Sequence, residues 1–505
     1  MKRVVSLRGL WLVPAGVVGV LLLTVLIRIV RPFGPPAGRP IANTGSDPVS
    51  LEAAWPTAAE LRSSLADANV LIVVTDAARA DHAGCYGYPR ETTPNMDRIA
   101  TDSLVFEQHF SQFPHTRAST ASLFTGQYPD THGVYALGGE LPGGATLAES
   151  LRAAGFETGF FSGWIVASPS MGFGEDFDFA SAPTRERKKG APREGARRDP
   201  QGVLDELSRW LDERDSRRLF AYVHFLQPHG PYDPPEEMAR LFIGSKPPYL
   251  WHGRLPYREI EHTIKRDVSI TEAANLYDGN CRYADWAVGE LERLLRERNL
   301  LEKTLLIITS DHGEAFGEHG YEGHLEGVYD EHVHIPLVVR FPGKAPPVGR
   351  VRALTETVDI LPTVLDLFAL AAPETAQGVS LVPLITGESP AAHDFIFARA
   401  KGRPESYLVR DLRWAMIFFQ GGKLRALYDL EDDPWQTRNL IDDRPEVAER
   451  MAAALRLFAQ TQRYPPLDFV DPNWRPTRQQ VAPDFPKPEM SDDTRRELEA
   501  LGYVD

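Results

Sequence analysis

Residues 69–76 read NVLIVVTD. An uninterrupted apolar, β-branched run bounded by polar residues is the pattern of a strand buried on both faces. The same pattern returns at LFAYVHFL (219–226), TLLIITS (304–310) and IPLVVRF (335–341). Between these runs the period changes. In GVLDELSRWLDER (202–214) the residues Val203, Leu204, Leu207, Trp210 and Leu211 share one helical face, and AVGELERLLRERNLL (287–301) behaves likewise. Strands alternating with helices predict an α/β fold whose parallel or mixed sheet is covered on both faces.

Beyond about residue 386 the texture shifts. YLVRDLRWAMIFF (407–419) and KLRALYDLEDDP (423–434) read as antiparallel strands with turns, and RPEVAERMAAALRLFAQTQR (444–463) as an amphipathic helix. The expected organisation is a catalytic domain over 68–385 and a smaller α+β subdomain with a tail over 386–505. No internal repeat is visible. RERKKGAPREGARR (185–198), with seven basic and two acidic residues, reads as a solvated loop.

The 505 residues give ample material for a large core, and 43% hydrophobic with 25% charged residues is ordinary globular composition. A formal net charge of −15 argues against nucleic acid as a partner, which requires a basic surface. Two cysteines, Cys85 and Cys281, allow one disulfide at most and no cysteine-built zinc site. The chain carries no G-x-S-x-G elbow, P-loop or dinucleotide fingerprint.

Leu10 to Ile27 is free of charge. Eighteen helical residues span about 27 Å, close to the hydrocarbon thickness of a bilayer. Lys2, Arg3 and Arg8 before the span, against Arg28 and Arg31 after it, favour a cytoplasmic N-terminus. The expectation is a single-pass membrane anchor over 1–31, a Pro- and Gly-rich linker over 32–67, and an extracytoplasmic (periplasmic or extracellular) body. A long signal peptide is the alternative, and it too exports the body.

In open α/β sheets, sites form beyond the carboxyl ends of the strands. NVLIVVTD ends at Asp76, and TLLIITSDH at Asp311 and His312. Two carboxylates and an imidazole can hold a divalent cation. Between them, Thr116 opens a small-residue helical stretch that stops near Gly126, and a helix N-terminus attracts anionic oxygens. A neutral threonine hydroxyl is a poor nucleophile; zinc lowers the pKa of bound water from 15.7 to about 7, which shows the scale of activation a metal supplies. Nine of the fourteen histidines lie between His224 and His334. Of these, His229 and His324 are the candidates for touching the substrate's anionic oxygens or protonating its leaving group. His224, His319, His332 and His334 stay unassigned.

At these residues the chain resembles the sulfatase branch of the alkaline phosphatase superfamily. The matching pieces run in order: NVLIVVTDAARADHAGCYGY, TTPNMDRIA, ASLFTGQYPDTHGV, PHGPY, TSDHGEAFGEHG, YDEHVHIPLVV, VDILPTVLDL, LYDLEDDPWQTRNL and LEALGYVD. The resemblance implies an α/β/α sandwich with a large, mostly parallel sheet and a smaller C-terminal sheet. It implies Asp76, Asp311 and His312 as metal ligands, Thr116 at the nucleophile position and among the ligands, and His229 and His324 at substrate-contacting positions. True sulfatases place Cys or Ser at the nucleophile, Pro or Ala two residues on and Arg four on; here stand Thr116, Ala118 and Thr120. Threonine's methyl blocks oxidation to formylglycine. The second aspartate that often follows the first is Ala77, which shifts preference from calcium towards zinc or manganese, with the divalent ion's identity (Zn, Mn, Ca or Mg) left open. The family's Lys-x-His pair is not evident around FFSGWIVASPSMGF (160–173). Threonine nucleophiles look like those of nucleotide pyrophosphatases, lipoteichoic acid synthases and phosphoethanolamine transferases.

The expected function is therefore metal-dependent hydrolysis of a phosphate, or less readily sulfate, ester. Two other readings stand beside it: transfer to a glycan or lipid hydroxyl, and a non-catalytic scaffold that binds anions.

Overall fold

The computed structural model describes residues 49–51, 56–135, 141, 146–183, 197–214, 217–245, 247–248, 269–343, 347–401, 405–419 and 424–463. The apolar span 10–27, nearly all of the basic stretch 185–198 and the tail after 463 lie outside them. Among the described residues no helix is long and apolar enough to cross a membrane.

In chain order the strands are β1 (Val49–Leu51), β2 (Asn69–Thr75), β3 (Leu104–Phe110), β4 (Glu157–Ser162), β5 (Phe179–Ser181), β6 (Leu219–Phe225), β7 (Thr304–Thr309), β8 (Ala315–Phe316), β9 (Glu322–Gly323), β10 (Leu337–Arg340) and β11 (Gly349–Glu356). Four more follow: β12 (Ile396–Ala400), β13 (Ser406–Arg410), β14 (Trp414–Phe419) and β15 (Leu424–Asp429). Nine of them form one sheet in the order β1-β11-β3-β10-β7-β2-β6-β4-β5. All its pairings are parallel except those of β10 with β3 and β7, and of β1 with β11.

The continuous apolar runs occupy the centre, as their pattern requires: β2, β6 and β7 are wholly buried and adjacent. Alternate residues of β2 serve opposite cores. Val70, Ile72 and Val74 pack with Leu123, Phe124 and Leu361, whereas Leu71 and Val73 pack with Leu207, Trp210 and Leu291. Helices cover both faces, which makes the predicted α/β/α sandwich. The helix seen in the sequence only over 287–301 begins much earlier and runs Ile270–Glu297. Its first half carries buried polar residues, among them Asn275, Asp278 and Asn280, that interrupt the apolar period.

The smaller sheet, β12-β13-β14-β15, is antiparallel throughout. One face packs on the helix Pro445–Gln460 through Met416, Phe418, Met451 and Leu455; the other meets Phe110, Val328 and Val333 of the main body. Its strands therefore press against the segment that runs from β3 towards Thr116.

Candidate functional site

The site forms where β2, β6 and β7 end side by side. Their parallel register carries Asp76, His224 and Asp311 to one end of the sheet. One ligand atom from each lies within 4.8 Å of the other two, and all three residues are buried. His312 follows Asp311, and its Nε2 stands 3.5 Å from Asp76 Oδ1 and 3.6 Å from Asp311 Oδ2.

Thr116 arrives from β3. It is the first residue of the helix Thr116–Thr125, capped by His115, whose Nδ1 accepts from the Arg117 N–H at 3.3 Å. Gly126, at φ +64, ends the helix in the left-handed region where a side chain is costly. The Thr116 hydroxyl donates to Asp76 Oδ2 at 3.4 Å and lies 3.4 Å from His312 Nε2. Thus the structure brings together Asp76, Thr116, Asp311 and His312.

His229 and His324 also converge here. Ring centroids are 4.3 Å apart for His312 and His324, and 4.9 Å for His229 and His324. The His229 backbone N–H donates to Asp76 O at 2.9 Å, tying the loop after β6 to the end of β2. His324 Nδ1 lies 3.0 Å from Glu314 Oε1, and His229 Nδ1 lies 2.6 Å from Gly230 O. A carbonyl or carboxylate only accepts, so each Nδ1 carries the proton and Nε2 is the basic nitrogen. Burial pulls His229 down to about 3 and His324 to about 4, with His324 adding to the effect on His229. Both are neutral imidazoles at pH 7. Gly313 permits the close packing that turns the chain here, because a Cβ would stand 2.2 Å from Glu331 O.

The remaining histidines divide. His224, unassigned in the sequence, belongs to the site: it is fully buried, with Nε2 2.9 Å from Asp76 Oδ2. The available signal was its position at the end of a central strand. His319, His332 and His334 serve packing. His319 stacks on Tyr329 at 3.7 Å and pairs with Glu331, and His334 bonds Glu107 O and stacks on Phe110. His332 is wholly buried, filling the space beside Gly327. Cys85 and Cys281 are both free thiols, so the disulfide left open by the sequence is absent.

The residues fit a divalent cation. Asp76 Oδ1 and Asp311 Oδ2 are buried with no hydrogen-bond partner, although buried carboxylate oxygens are ordinarily satisfied. His312 Nδ1 is 2.9 Å from the Gly313 carbonyl, so its Nε2 presents a lone pair to those same oxygens. Lone pairs facing lone pairs repel unless a positive charge lies between them. Burial, then the neighbouring Asp311 carboxylate, pushes the Asp76 carboxyl well above its ordinary range, the sign of missing positive charge.

A doubly covered sheet whose strand ends gather carboxylates, imidazoles and a helix-borne hydroxyl defines a sulfatase-like ester hydrolase. The chain belongs to the sulfatase family, which it matches over residues 68–370; residues 317–461 match the family described as N-sulphoglucosamine sulphohydrolase, C-terminal. An arylsulfatase of Clostridium perfringens is 24% identical over 445 residues, covering 76% of this chain and 92% of that protein. An N-acetylglucosamine-6-O-sulfatase of Bacteroides thetaiotaomicron is 23% identical over 484 residues, covering 78% and 86%. Among solved structures, the phosphonate monoester hydrolase of Agrobacterium radiobacter superposes with a TM-score of 0.66 at 25% identity, over 77% of this chain and 95% of that one.

Proposed function

We propose that the chain is a metal-dependent hydrolase of phosphorus esters, phosphate monoesters or diesters before sulfates, with Thr116 as its nucleophile. The observation that carries this is the Thr116 hydroxyl, aimed at Asp76 Oδ2 beside two orphaned carboxylate oxygens. Asp76, Asp311, His312 and Thr116 would hold the cation, which supplies positive charge that favours the alkoxide and the developing charge on the transferring group. The likeness to a phosphonate monoester hydrolase supports phosphorus chemistry, as does a threonine that cannot be oxidised to formylglycine.

The chain's own groups provide the rest. Asp76 Oδ2 receives the hydroxyl proton as Thr116 Oγ1 attacks phosphorus in line. The N-terminus of the helix Thr116–Thr125 favours the transferring group's negative oxygens. His324, its Nδ1 fixed by Glu314, assists the leaving oxygen once the substrate's negative charge has drawn a proton onto its Nε2, which it then gives to that oxygen; His229, lying against it, contacts the anion in the same protonated form. Water then cleaves the phospho-threonine. The uncharged span 10–27 supports an exported protein anchored at the membrane, with a glycan- or lipid-linked ester within reach.

The test is turnover of aryl phosphate, phosphodiester, phosphonate and sulfate esters by the full chain and by Thr116→Ala, with and without chelator. Phosphorus esters should lead, and Thr116→Ala should lose at least about a thousandfold in kcat. Full metal-dependent turnover by Thr116→Ala would sink the mechanism.

A further inference from the structure

We infer that His224 is a further nitrogen ligand of this chain's site, set by Tyr222 and Thr120, and that it replaces the carboxylate missing at Ala77. The inference rests on the metal site of the proposed function and adds a ligand, its positioning residues and an ion preference.

Ala77 lies at the heart of the site, since its N–H donates to Asp311 Oδ1 at 3.0 Å. It brings no oxygen there. His224 stands on the neighbouring strand, opposite Val74 in register, with its Nε2 beside Asp76 Oδ2. A nitrogen thus occupies a place among the carboxylates that the bare methyl of Ala77 cannot fill.

Whether Nε2 is a ligand depends on where the imidazole proton sits. His224 Nδ1 lies 2.9 Å from the Tyr222 hydroxyl, two residues back on the same face of β6. A phenol, unlike a carbonyl, both donates and accepts. The Thr120 hydroxyl supplies the choice. It sits one helical turn beyond Thr116, buried beside the phenol and, among the described residues, without a hydrogen-bond partner. When Tyr222 gives its proton to His224 Nδ1, Nε2–H donates to Asp76. When Tyr222 turns its proton to Thr120 Oγ1, Nδ1–H donates to the phenol and Nε2 offers a lone pair to a cation. One proton moves from Nε2 to Nδ1, and no charge is gained or lost.

Thr120 stands where sulfatases carry arginine; there a short hydroxyl leaves the phenol room and an acceptor. With His224 and His312 the site holds two imidazoles, a set suited to zinc or manganese rather than to calcium, which takes six to eight oxygens.

Cobalt substitution of the full chain, read by paramagnetic proton NMR, tests this apart from activity. Each ligating imidazole that keeps Nδ1–H gives one exchangeable, hyperfine-shifted signal. Two are expected, one of which disappears in His224→Ala and exchanges faster in Tyr222→Phe. Zinc affinity measured by competition should fall about 10- to 100-fold in both variants, as for other residues that orient ligands. Calcium affinity should change less than zinc affinity. Tyr222→Phe, nearly isosteric, guards against a folding failure in His224→Ala. A single signal untouched by His224→Ala, with zinc affinity unchanged, would overturn the inference and leave the function standing. A wild-type chain that binds no divalent ion would bring down both.

Discussion

Two pairs of buried carboxylates lie in the same large fold and have opposite fates. Glu356 and Asp359, where β11 ends, have all four oxygens engaged. Glu356 Oε1 accepts from Phe397 N and Gln112, and Oε2 from the Tyr128 hydroxyl. Asp359 Oδ1 accepts from Val379 N, Oδ2 from Glu356 N, and both oxygens lie within 3.0 Å of His393 Nε2. Burial lowers the His393 pKa, but Asp359 and then Glu356 outweigh it and hold it near 9, so the pair carries its own cation. Asp76 and Asp311 each keep one oxygen without a partner, and burial holds their neighbour His224 near 4, uncharged at pH 7. Burial alone therefore does not mark a site. Unspent acceptors beside neutral imidazoles do, because that arrangement is stable only with a charge brought from outside.

The largest effect that would break this contrast is at Asp311. Asp311→Asn should abolish metal uptake and drop turnover by at least about a thousandfold. In metal-free protein the same change should raise stability, since it removes a buried charge with an unmet oxygen. Glu356→Gln should do the reverse, leaving bound metal unchanged. Plasma mass spectrometry with urea unfolding reads both, and an Asp311→Asn chain that retains its metal refutes the distinction.

The histidine–carboxylate couples sharpen it. His324 with Glu314 is neutral and lies against His312 and His229; His393 with Asp359 is charged and saturated. His324→Gln should cost about a hundredfold in kcat with metal content and unfolding midpoint preserved. His393→Gln should leave kcat alone and cost about 3 kcal/mol of stability. Because the His393 pKa is raised on folding, its contribution is complete below about 6.5 and is lost as pH rises through about 9. Metal-free wild-type protein should weaken over that window.

How far the sequence reveals these regions follows the same physics. β2, β6 and β7 are legible because burial on both faces demands unbroken apolar runs, and Asp76 and Asp311 are legible because they end those runs. β3, which delivers Thr116, was missed: its LVFEQHF carries Glu107, Gln108 and His109, whose polarity is spent on Arg350, Arg410 and Thr355. The part of the long helix before Ala287 was hidden likewise, Asp278 being paired to His82 and Arg90, and Asp285 to Asn95. His224 carries one signal, its place near the end of the apolar run 219–226, which His319 and His334 lack. Strand order supplies the rest, by setting β6 against β2 and so His224 against Asp76.

The smallest predicted effect compares two alanines. Ala77 and Ala369 both hold left-handed backbone, at φ 62 and 56, where a Cβ costs about 1–2 kcal/mol. Ala369 is exposed just beyond the C-terminus of the helix Ile360–Leu367 that follows Asp359, a place glycine commonly fills. Ala369→Gly should therefore raise stability by about 1 kcal/mol in urea unfolding, with metal content unchanged. Ala77 is fully buried against Asp311 and Tyr277, so Ala77→Gly relieves the same strain while giving up a packed methyl worth about 0.8 kcal/mol. The two terms nearly cancel, and stability should hardly move. If Ala77→Gly stabilised as much as Ala369→Gly, the methyl beside the carboxylates would carry no packing energy. The site would then be looser than its burial indicates, and its unmet oxygens could be reached by water rather than reserved for a cation.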